Sequence, residues 1–190
     1  MKYAALILVA LPAFAQISTR PTPAAAVQKS NGAVSVKQFP TPKIPLSSFV
    51  ALERTFDSKL AQMGAGGEPI DLLGATRGIY LEGYGVVFTT EMGLVVTPTI
   101  NPFNPTITDA TKARVHSAKV SRLAALKKAI TEMATNVATN MGQVPDNQQV
   151  VVAVRLAYAS WETTSGLPGL IVAKADRRSA MAGQIKLEEQ

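Results

Sequence analysis

Apolar residues recur at intervals of three and four between Ser48 and Met63, and this spacing predicts an amphipathic helix. The apolar stripe consists of Phe49, Leu52, Phe56, Leu60 and Met63. Ser47 or Ser48 is the predicted N-cap, because a serine oxygen accepts a hydrogen bond from a free amide of the first turn. Glycines at 64 and 66–67 are expected to end the helix.

A second and longer helix is predicted from Thr108 or Asp109 to about Met141, with Gly142 ending it. The same spacing runs through Val120, Leu123, Leu126, Ile130, Met133, Val137 and Met141. At a rise of about 1.5 Å per residue, such a helix is about 50 Å long, which is long for a domain of this size. It must therefore lie across a whole sheet, bend, or project towards a partner.

Segments rich in β-branched and aromatic residues lie on both sides of the long helix and predict strands. Residues 77–96 form either two strands joined near Tyr84 or one long bent strand. Gly83 and Gly85 within them indicate a bulge, a bend or a close backbone approach. From Val150 onwards large residues alternate with small ones, which predicts a central strand with a helix packed over the alanines. A partner strand is predicted over 170–174, a short helical turn over 177–182 and a last strand or tail over 184–189.

The order helix, strands, long helix, strands predicts an α+β domain. We expect an antiparallel or mixed sheet of about four to five strands, with one long and one shorter helix packed on it. The domain is expected to occupy residues 47–190, after a Pro-, Ala- and Ser-rich linker at 16–46. This linker has few large apolar residues, so burial cannot offset the entropy of ordering it, and we expect it to be disordered.

Residues 1–15 have the three parts of a secretory signal peptide. Lys2 gives a positive start, residues 3–11 are an unbroken apolar run, and Ala13 and Ala15 are the small residues that signal peptidase requires. The apolar segment is too short to span a bilayer, which needs about 20 residues. We therefore expect cleavage after Ala15, a periplasmic or extracellular protein of bacterial type, and no transmembrane span after cleavage.

The chain has no cysteine, which excludes disulfides and thiolate chemistry. Its net charge of +6 comes mainly from the segment that precedes the predicted domain. Residues 16–45 carry four bases and no acid, whereas residues 46–190 carry 14 bases and 13 acids. Four dispersed charges are too few for a strong nucleic-acid arm, so no nucleic-acid partner is expected.

Motifs for catalysis and for cofactor binding are missing from the sequence. It has no G-x-S-x-G, no glycine motif for phosphate binding and no D-x-D-x-D spacing. His116 is the only histidine, and it lies in the predicted long helix among basic residues. No metal site and no cofactor are therefore expected. The sequence favours a non-catalytic protein over an enzyme, and it identifies no catalytic residue.

Four residues on or beside the predicted strands are candidates for ligand binding: Glu82, Tyr84, Glu91 and Trp161. If 77–96 is a hairpin, Glu82 and Glu91 can lie close enough for acid–base work or for binding a cation. Aromatic side chains at the end of a sheet, such as Trp161, can line a ligand pocket. The competing interpretations are solvated carboxylates and ordinary core packing of the aromatic rings.

Two hypotheses about function remain open. The first is an exported, non-catalytic domain that binds another envelope component or itself; it rests on the missing motifs, the long helix and the spacer-like linker. A homodimer would form along the helix at 109–141, whose apolar stripe fits about two heptads. The alternative is a small-ligand-binding protein or a hydrolase that uses the carboxylates and aromatics at the end of the sheet.

Overall fold

The computed structural model describes residues 43–64, 68–103 and 105–190. The predicted signal peptide and the predicted linker up to residue 42 lie outside these described residues. The described helices are α1 (Leu46–Gln62), α2 (Asp109–Asn140) and α3 (Arg177–Met181). The described strands are β1 (Asp71–Leu72), β2 (Arg77–Leu81), β3 (Gly85–Gly93), β4 (Gln149–Leu156), β5 (Leu170–Asp176) and β6 (Lys186–Glu189).

The described strands form one mixed sheet of six strands. β3, β4, β5 and β6 lie in that order, and β1 and β2 both pair with the other edge of β3. β3 and β4 are parallel and are connected through α2, whereas every other pair is antiparallel. The predicted α+β class is confirmed, and of the two predicted sheet types the sheet is the mixed one. It has six strands instead of about four to five, and the described part holds a third, short helix.

One face of the sheet, here named the covered face, carries the helices and the core. The residues of β3 and β4 that point into it are almost fully buried: Val86, Phe88, Met92, Val150, Val152, Val154 and Leu156. Phe49 and Phe56 of α1 pack on Phe88, with ring centroids 5.8 and 5.2 Å apart. Each large apolar side chain buried in this way stabilises the fold by about 1.5–3 kcal/mol.

α2 lies along the covered face for most of its length. Its buried residues extend from Val115 to Ala138, which is about 35 Å of helix. Leu126, Ile130 and Met133 are at most 1% exposed and belong to the core of the domain. The apolar stripe that fits the heptad pattern is therefore packed on the sheet of its own chain.

The bounds of α2 agree with the sequence prediction within one residue. Thr108 is the N-cap, and its hydroxyl accepts a hydrogen bond of 3.3 Å from the amide of Thr111. The predicted N-cap of α1 is wrong, because the N-cap is Pro45 and both Ser47 and Ser48 lie in the first turn, whereas the helix ends just before Gly64 as predicted. The predicted stripe of α1 is confirmed by its buried residues, which are Phe49, Leu52, Phe56 and Leu60.

β4 is a central strand, as predicted, since it pairs with β3 and β5. The prediction that a helix packs over its alanines is wrong. The helices pack over the large residues, among them Val150 and Val154, whereas Ala153 points to the opposite face. The physical reason is volume: close packing between a sheet and a helix layer needs large side chains to fill the space between them.

Residues 77–93 form a hairpin, which is the two-strand alternative of the prediction. Gly85 lies where β3 meets β4, with a φ of 138°. A Cβ atom at this position would lie 1.9 Å from the carbonyl oxygen of Gln149, so the predicted close backbone approach occurs here. The predicted elements after β4 correspond to β5, α3 and β6.

Both outer edges of the sheet have features that discourage pairing with another strand. At the β2 edge, Glu53 accepts a hydrogen bond of 2.8 Å from the amide of Gly78. Asp57 accepts bonds of 2.9 and 2.6 Å from the amide and the hydroxyl of Thr76. At the other edge, β6 has only four residues, and all except Leu187 are charged. Occupied amides, short strands and charges are the usual protections of an exposed edge.

Candidate functional site

The sheet face opposite the helices, here named the open face, is not covered by any described helix. It is formed by alternate residues of β2 to β6: Arg77, Ile79, Leu81, Val87, Thr89, Glu91, Val151, Ala153, Arg155, Leu170, Val172, Lys174, Lys186 and Glu188. The same strands therefore present two different surfaces, because successive side chains point to opposite sides.

The centre of the open face is apolar. Ile79, Val87 and Val151 lie side by side in the strand register, and Ala153 and Val172 lie side by side in the adjacent row. Ile79 is 55% exposed, and Val87, Ala153 and Val172 are partly exposed, whereas Val151 is only 7% exposed. Val86 on the covered face of β3 is fully buried. Adjacent apolar side chains that reach the surface within a polar rim are typical of an interaction surface.

Charged residues surround this apolar centre, and their balance is positive. The open face carries four basic residues (Arg77, Arg155, Lys174 and Lys186) and two acidic ones (Glu91 and Glu188), which gives +2. Glu188 contacts both lysines, at 2.9 and 2.8 Å. These contacts lower the pKa of Glu188 to about 2, so this carboxylate is occupied by its own neighbours.

A depression of about 420 Å³ lies where the connection between β1 and β2 meets the open face. Its apolar lining includes Leu73, Ala153 and Leu170. Its charged rim consists of Arg77, Glu91 and Arg155. A concave site with an apolar floor and a few charged groups is the usual form of a ligand or side-chain pocket.

The two arginines of this rim have little contact with acids of their own chain. Arg77 lies 3.8 Å from a carboxylate oxygen of Glu53, and Arg155 lies 3.8 Å from one of Glu91. Both distances exceed that of a normal hydrogen bond. Their side chains are 74% and 73% exposed. Arg77 also donates to the carbonyl of Thr76 at 3.5 Å. As far as the described residues are concerned, most of the donors on both guanidinium groups remain open to a ligand.

Other basic side chains of the described part are engaged more closely. Lys112, Lys119, Lys127, Lys174 and Lys186 each lie within 3.0 Å of a carboxylate oxygen. Arg122 donates to the backbone oxygens of Leu94 and Glu68. Arg177 pairs with Asp146 and also donates to the backbone of α2. The weakly paired arginines beside the depression thus differ from most bases of the domain.

Of the four residues predicted to bind a ligand, Glu91 lies at this depression. Glu82 and Tyr84 lie in the turn between β2 and β3, at the other end of the hairpin. The step from Gly85 to Glu91 alone covers about 20 Å of extended strand. Glu82 and Glu91 are therefore not brought together, although the hairpin on which their proximity depended has formed. Trp161 lies in the connection between β4 and β5 and is partly buried.

A second polar cluster joins α2 to the connection between β4 and β5, and it is closed to solvent. Lys119 and Glu162 form an ion pair with an N–O distance of 2.5 Å, and their side chains are only 1% and 3% exposed. The other oxygen of Glu162 accepts a bond of 2.9 Å from the amide of Ala159. The Lys119 ammonium also lies 4.7 Å from the ring centroid of Tyr158. Each partner thus replaces the solvation that the other lost on burial.

The same cluster holds Tyr158 and His116 in place. The Tyr158 hydroxyl donates to the carbonyl of Pro168 at 2.7 Å. Burial, and secondarily the charge of Glu162, raises the pKa of Tyr158 to about 12. Nδ1 of His116 donates to the carbonyl of Thr163 at 2.9 Å. These bonds fasten the connection to the helix, and the arrangement is that of a structural clasp.

Within residues 43–64, 68–103 and 105–190, no three histidine or acidic side chains are placed to bind a metal ion. None of the helices in these ranges combines the length and the hydropathy of a membrane span. Comparison with protein-family models, with curated proteins and with solved structures found no match to this chain.

Glu91 was predicted from the sequence as a binding residue, whereas Arg77 and Arg155, its neighbours at the depression, were not. Arg77, Ile79 and Leu81 share one side of β2, and Val151, Ala153 and Arg155 share one side of β4. The sequence did contain a signal for these arginines, because on each strand one arginine shares a side with residues that are otherwise apolar or small. Placing the helix over Ala153 instead of Val152 hid it, because that placement put Arg155 under the helix.

Proposed function

We propose that this protein is an exported, non-catalytic domain that binds another component of the cell envelope through the open face of its sheet. The observation that carries the proposal is the open face itself, with its partly exposed apolar centre, its positive rim and its depression. In a two-layer domain an apolar sheet face is normally covered by a second layer. Here the partner supplies that layer.

The edges of the sheet support the choice of the face. An exposed edge binds a partner by adding a strand to it, which requires free backbone groups. On β2 the amide of Gly78 is occupied by Glu53, and β6 is short and charged. The open face has no such protection and is therefore the surface available for binding.

The positions of the acidic residues support a non-catalytic role. An acid–base pair of carboxylates must reach the same reacting group within hydrogen-bond distance. Glu82 and Glu91 lie at opposite ends of β3, so they cannot act on one substrate together. The most enclosed ionic pair, Lys119 with Glu162, is shielded from solvent and holds two elements together.

Site-specific photo-crosslinking in the producing cells tests this function. A photoreactive residue replaces Ile79 on the open face or, as a matched control, Val120 on α2, which are 55% and 45% exposed. We expect a discrete adduct from position 79 and none from position 120. Adducts from position 120 alone, or from neither position, would contradict binding through the open face.

Export is tested separately on the native chain. Intact-mass measurement of the protein isolated from cells should give a chain that starts at Gln16, recovered outside the cytoplasm. A chain that retains residues 1–15 and stays in the cytoplasm would contradict the export part of the proposal and leave the binding surface untouched.

A further inference from the structure

We propose that the depression of the open face binds an extended segment of a partner protein that carries two acidic residues four positions apart and an apolar residue midway between them. The inference rests on the proposed function and adds the chemistry of the partner. It is argued from the spacing of Arg77 and Arg155, from the lining between them and from the charge of the surrounding surface.

The spacing of the arginines follows from the sheet register. Arg77 lies opposite Thr89, and Arg155 lies opposite Glu91, so the arginines are two strands and two residues apart. With strands about 4.8 Å apart and a rise of about 3.3 Å per residue, their Cα atoms are about 12 Å apart. In an extended segment, residues four positions apart are separated by about 13 Å and point to the same side. Two carboxylates at that spacing fit the two guanidinium groups.

The lining between the arginines determines the residue between the acids. By the strand register, the midpoint between the arginines lies over β3, between Thr89 and Glu91, and Leu170 lies beyond Arg155. The floor beside this midpoint is formed by the side chains of Thr89, Leu73 and Ala153. In an extended segment the residue midway between the acids points to the same side as both. An apolar side chain at this position would be buried against the floor, which contributes favourable free energy in proportion to the area covered.

Charge distinguishes this occupant from two others. A second copy of the chain would bring two open faces of +2 together. The segment of the chain at residues 16–42 carries Arg20, Lys29 and Lys37 and no acid, so it is also positive. Like charges facing each other across an interface oppose association. An acidic partner matches the arginines, and a guanidinium group can bind a carboxylate with two parallel hydrogen bonds.

Removing the charge of Glu91 should change the binding affinity in a direction that depends on the charge of the occupant. Glu91 lies on the same rim as the arginines, 3.8 Å from Arg155 at the nearest nitrogen and oxygen. If the occupant is acidic, the Glu91 carboxylate repels it and competes for Arg155. Removing that charge with Glu91→Gln should therefore strengthen binding. If Glu91 instead contacts a cationic or neutral ligand, the same substitution should weaken binding or leave it unchanged.

The experiment is an NMR titration of residues 16–190 with blocked pentapeptides. The probe is Glu-Thr-Leu-Thr-Glu, and its controls are Gln-Thr-Leu-Thr-Gln and a peptide with the two glutamates three positions apart. We expect the probe to shift the amides of Thr89, Ala153 and Leu170, and to bind at least roughly tenfold more tightly than either control.

Variants assign the effect to the arginines. Arg77→Gln and Arg155→Gln should each weaken binding of the probe roughly tenfold, since each removes a charge-assisted contact. Arg178→Gln is the matched control, because its side chain is 78% exposed and lies at the start of α3. It should leave the affinity unchanged. Thermal unfolding of each variant shows that the fold is intact.

Several results would overturn the inference. They are equal binding of the glutamine control, no binding of any peptide, weaker binding by Glu91→Gln, and binding to phosphatidylglycerol vesicles without binding to the probe. The proposed function fails differently. If the adduct from position 79 persists in cells with Arg77→Gln and Arg155→Gln together, the open face binds a partner by other contacts. If that adduct never forms, the binding function itself is contradicted.

Discussion

The two faces of the sheet come from the same strands and differ in almost every physical respect. On β3, Phe88 is fully buried against the aromatic rings of α1, whereas the next residue, Thr89, is exposed. On β4, Val152 and Val154 lie under α2, whereas Ala153 and Arg155 face outwards. The side chains of the covered face are apolar and almost fully buried, as in a protein core. The open face carries charged and more exposed side chains and a depression.

The difference shows how one strand can serve two purposes. Successive side chains point to opposite sides, so each face can change without altering the other. We expect substitutions on the covered face to change the free energy of unfolding, and substitutions on the open face to change binding. The predictions below test this separation, beginning with the largest expected effect.

Phe88→Ala should destabilise the domain by about 4 kcal/mol, because it removes a fully buried ring and leaves a cavity beside Phe49 and Phe56. Its neighbour on the open face provides the control, since Thr89→Ala should change stability by less than about 0.5 kcal/mol. Urea unfolding measures both. Similar losses in the free energy of unfolding for the two variants would show that the two faces contribute equally to stability.

Lys119→Met should destabilise the domain by about 3 kcal/mol, because it leaves the Glu162 carboxylate buried without its cation. Arg155→Met removes one partner of the exposed pair with Glu91 and should cost less than about 1 kcal/mol. Combining Lys119→Met with Glu162→Leu should recover most of the loss, since no unpaired buried charge then remains. If the double variant recovers no stability, the role of this ion pair as a structural clasp is contradicted.

Thr90→Val should stabilise the domain by about 1 kcal/mol. Thr90 lies on the covered face of β3 and is 7% exposed, and its hydroxyl has no hydrogen-bond partner among the described residues. Valine has nearly the same shape and removes this unpaired polar group. Thr89→Val on the open face should leave stability within about 0.5 kcal/mol of the parent. A clear loss of stability in Thr90→Val would show that the hydroxyl is bound.

The last prediction concerns an effect that is absent near neutral pH and appears only at alkaline pH. Burial raises the pKa of Tyr158 from its ordinary value of 10.0 to about 12 in the folded domain, so the unfolded chain releases this proton first. Tyr158 therefore leaves stability unchanged below pH 10 and lowers it progressively as the pH rises from about 10 to 12. The free energy of unfolding, measured across this pH range, should fall more steeply for the parent than for Tyr158→Phe. Equal slopes would contradict the raised pKa.

Most helices and strands could be predicted from the sequence, because their signals are local. The apolar periodicity of α2 predicted its bounds within one residue, and the alternation after Val150 predicted β4. The face of β4 that receives the helix could not be predicted, because both of its sides are apolar or small near Val151 and Ala153. Only the packing of the complete sheet distinguishes them.

The candidate site was predictable only in part. Glu91 was identified because a carboxylate on a strand is conspicuous. The depression depends on β1, β2 and β4 lying around β3, and this arrangement is a tertiary property that no single segment contains. The buried pair of Lys119 and Glu162 was missed for the same reason. Its members are 43 positions apart, and each looks like an ordinary surface charge in the sequence.

The central claim is that a partner covers the open face, and oxidative footprinting of the unmodified protein tests it most directly. The protein is labelled once in intact cells and once after purification. The account predicts that Ile79 and Leu81 are labelled several-fold less in cells, whereas the similarly exposed Val120 and Met181 are labelled equally in both. The account would be contradicted if each of the four residues were labelled equally in cells and after purification, or if Val120 alone were labelled less in cells.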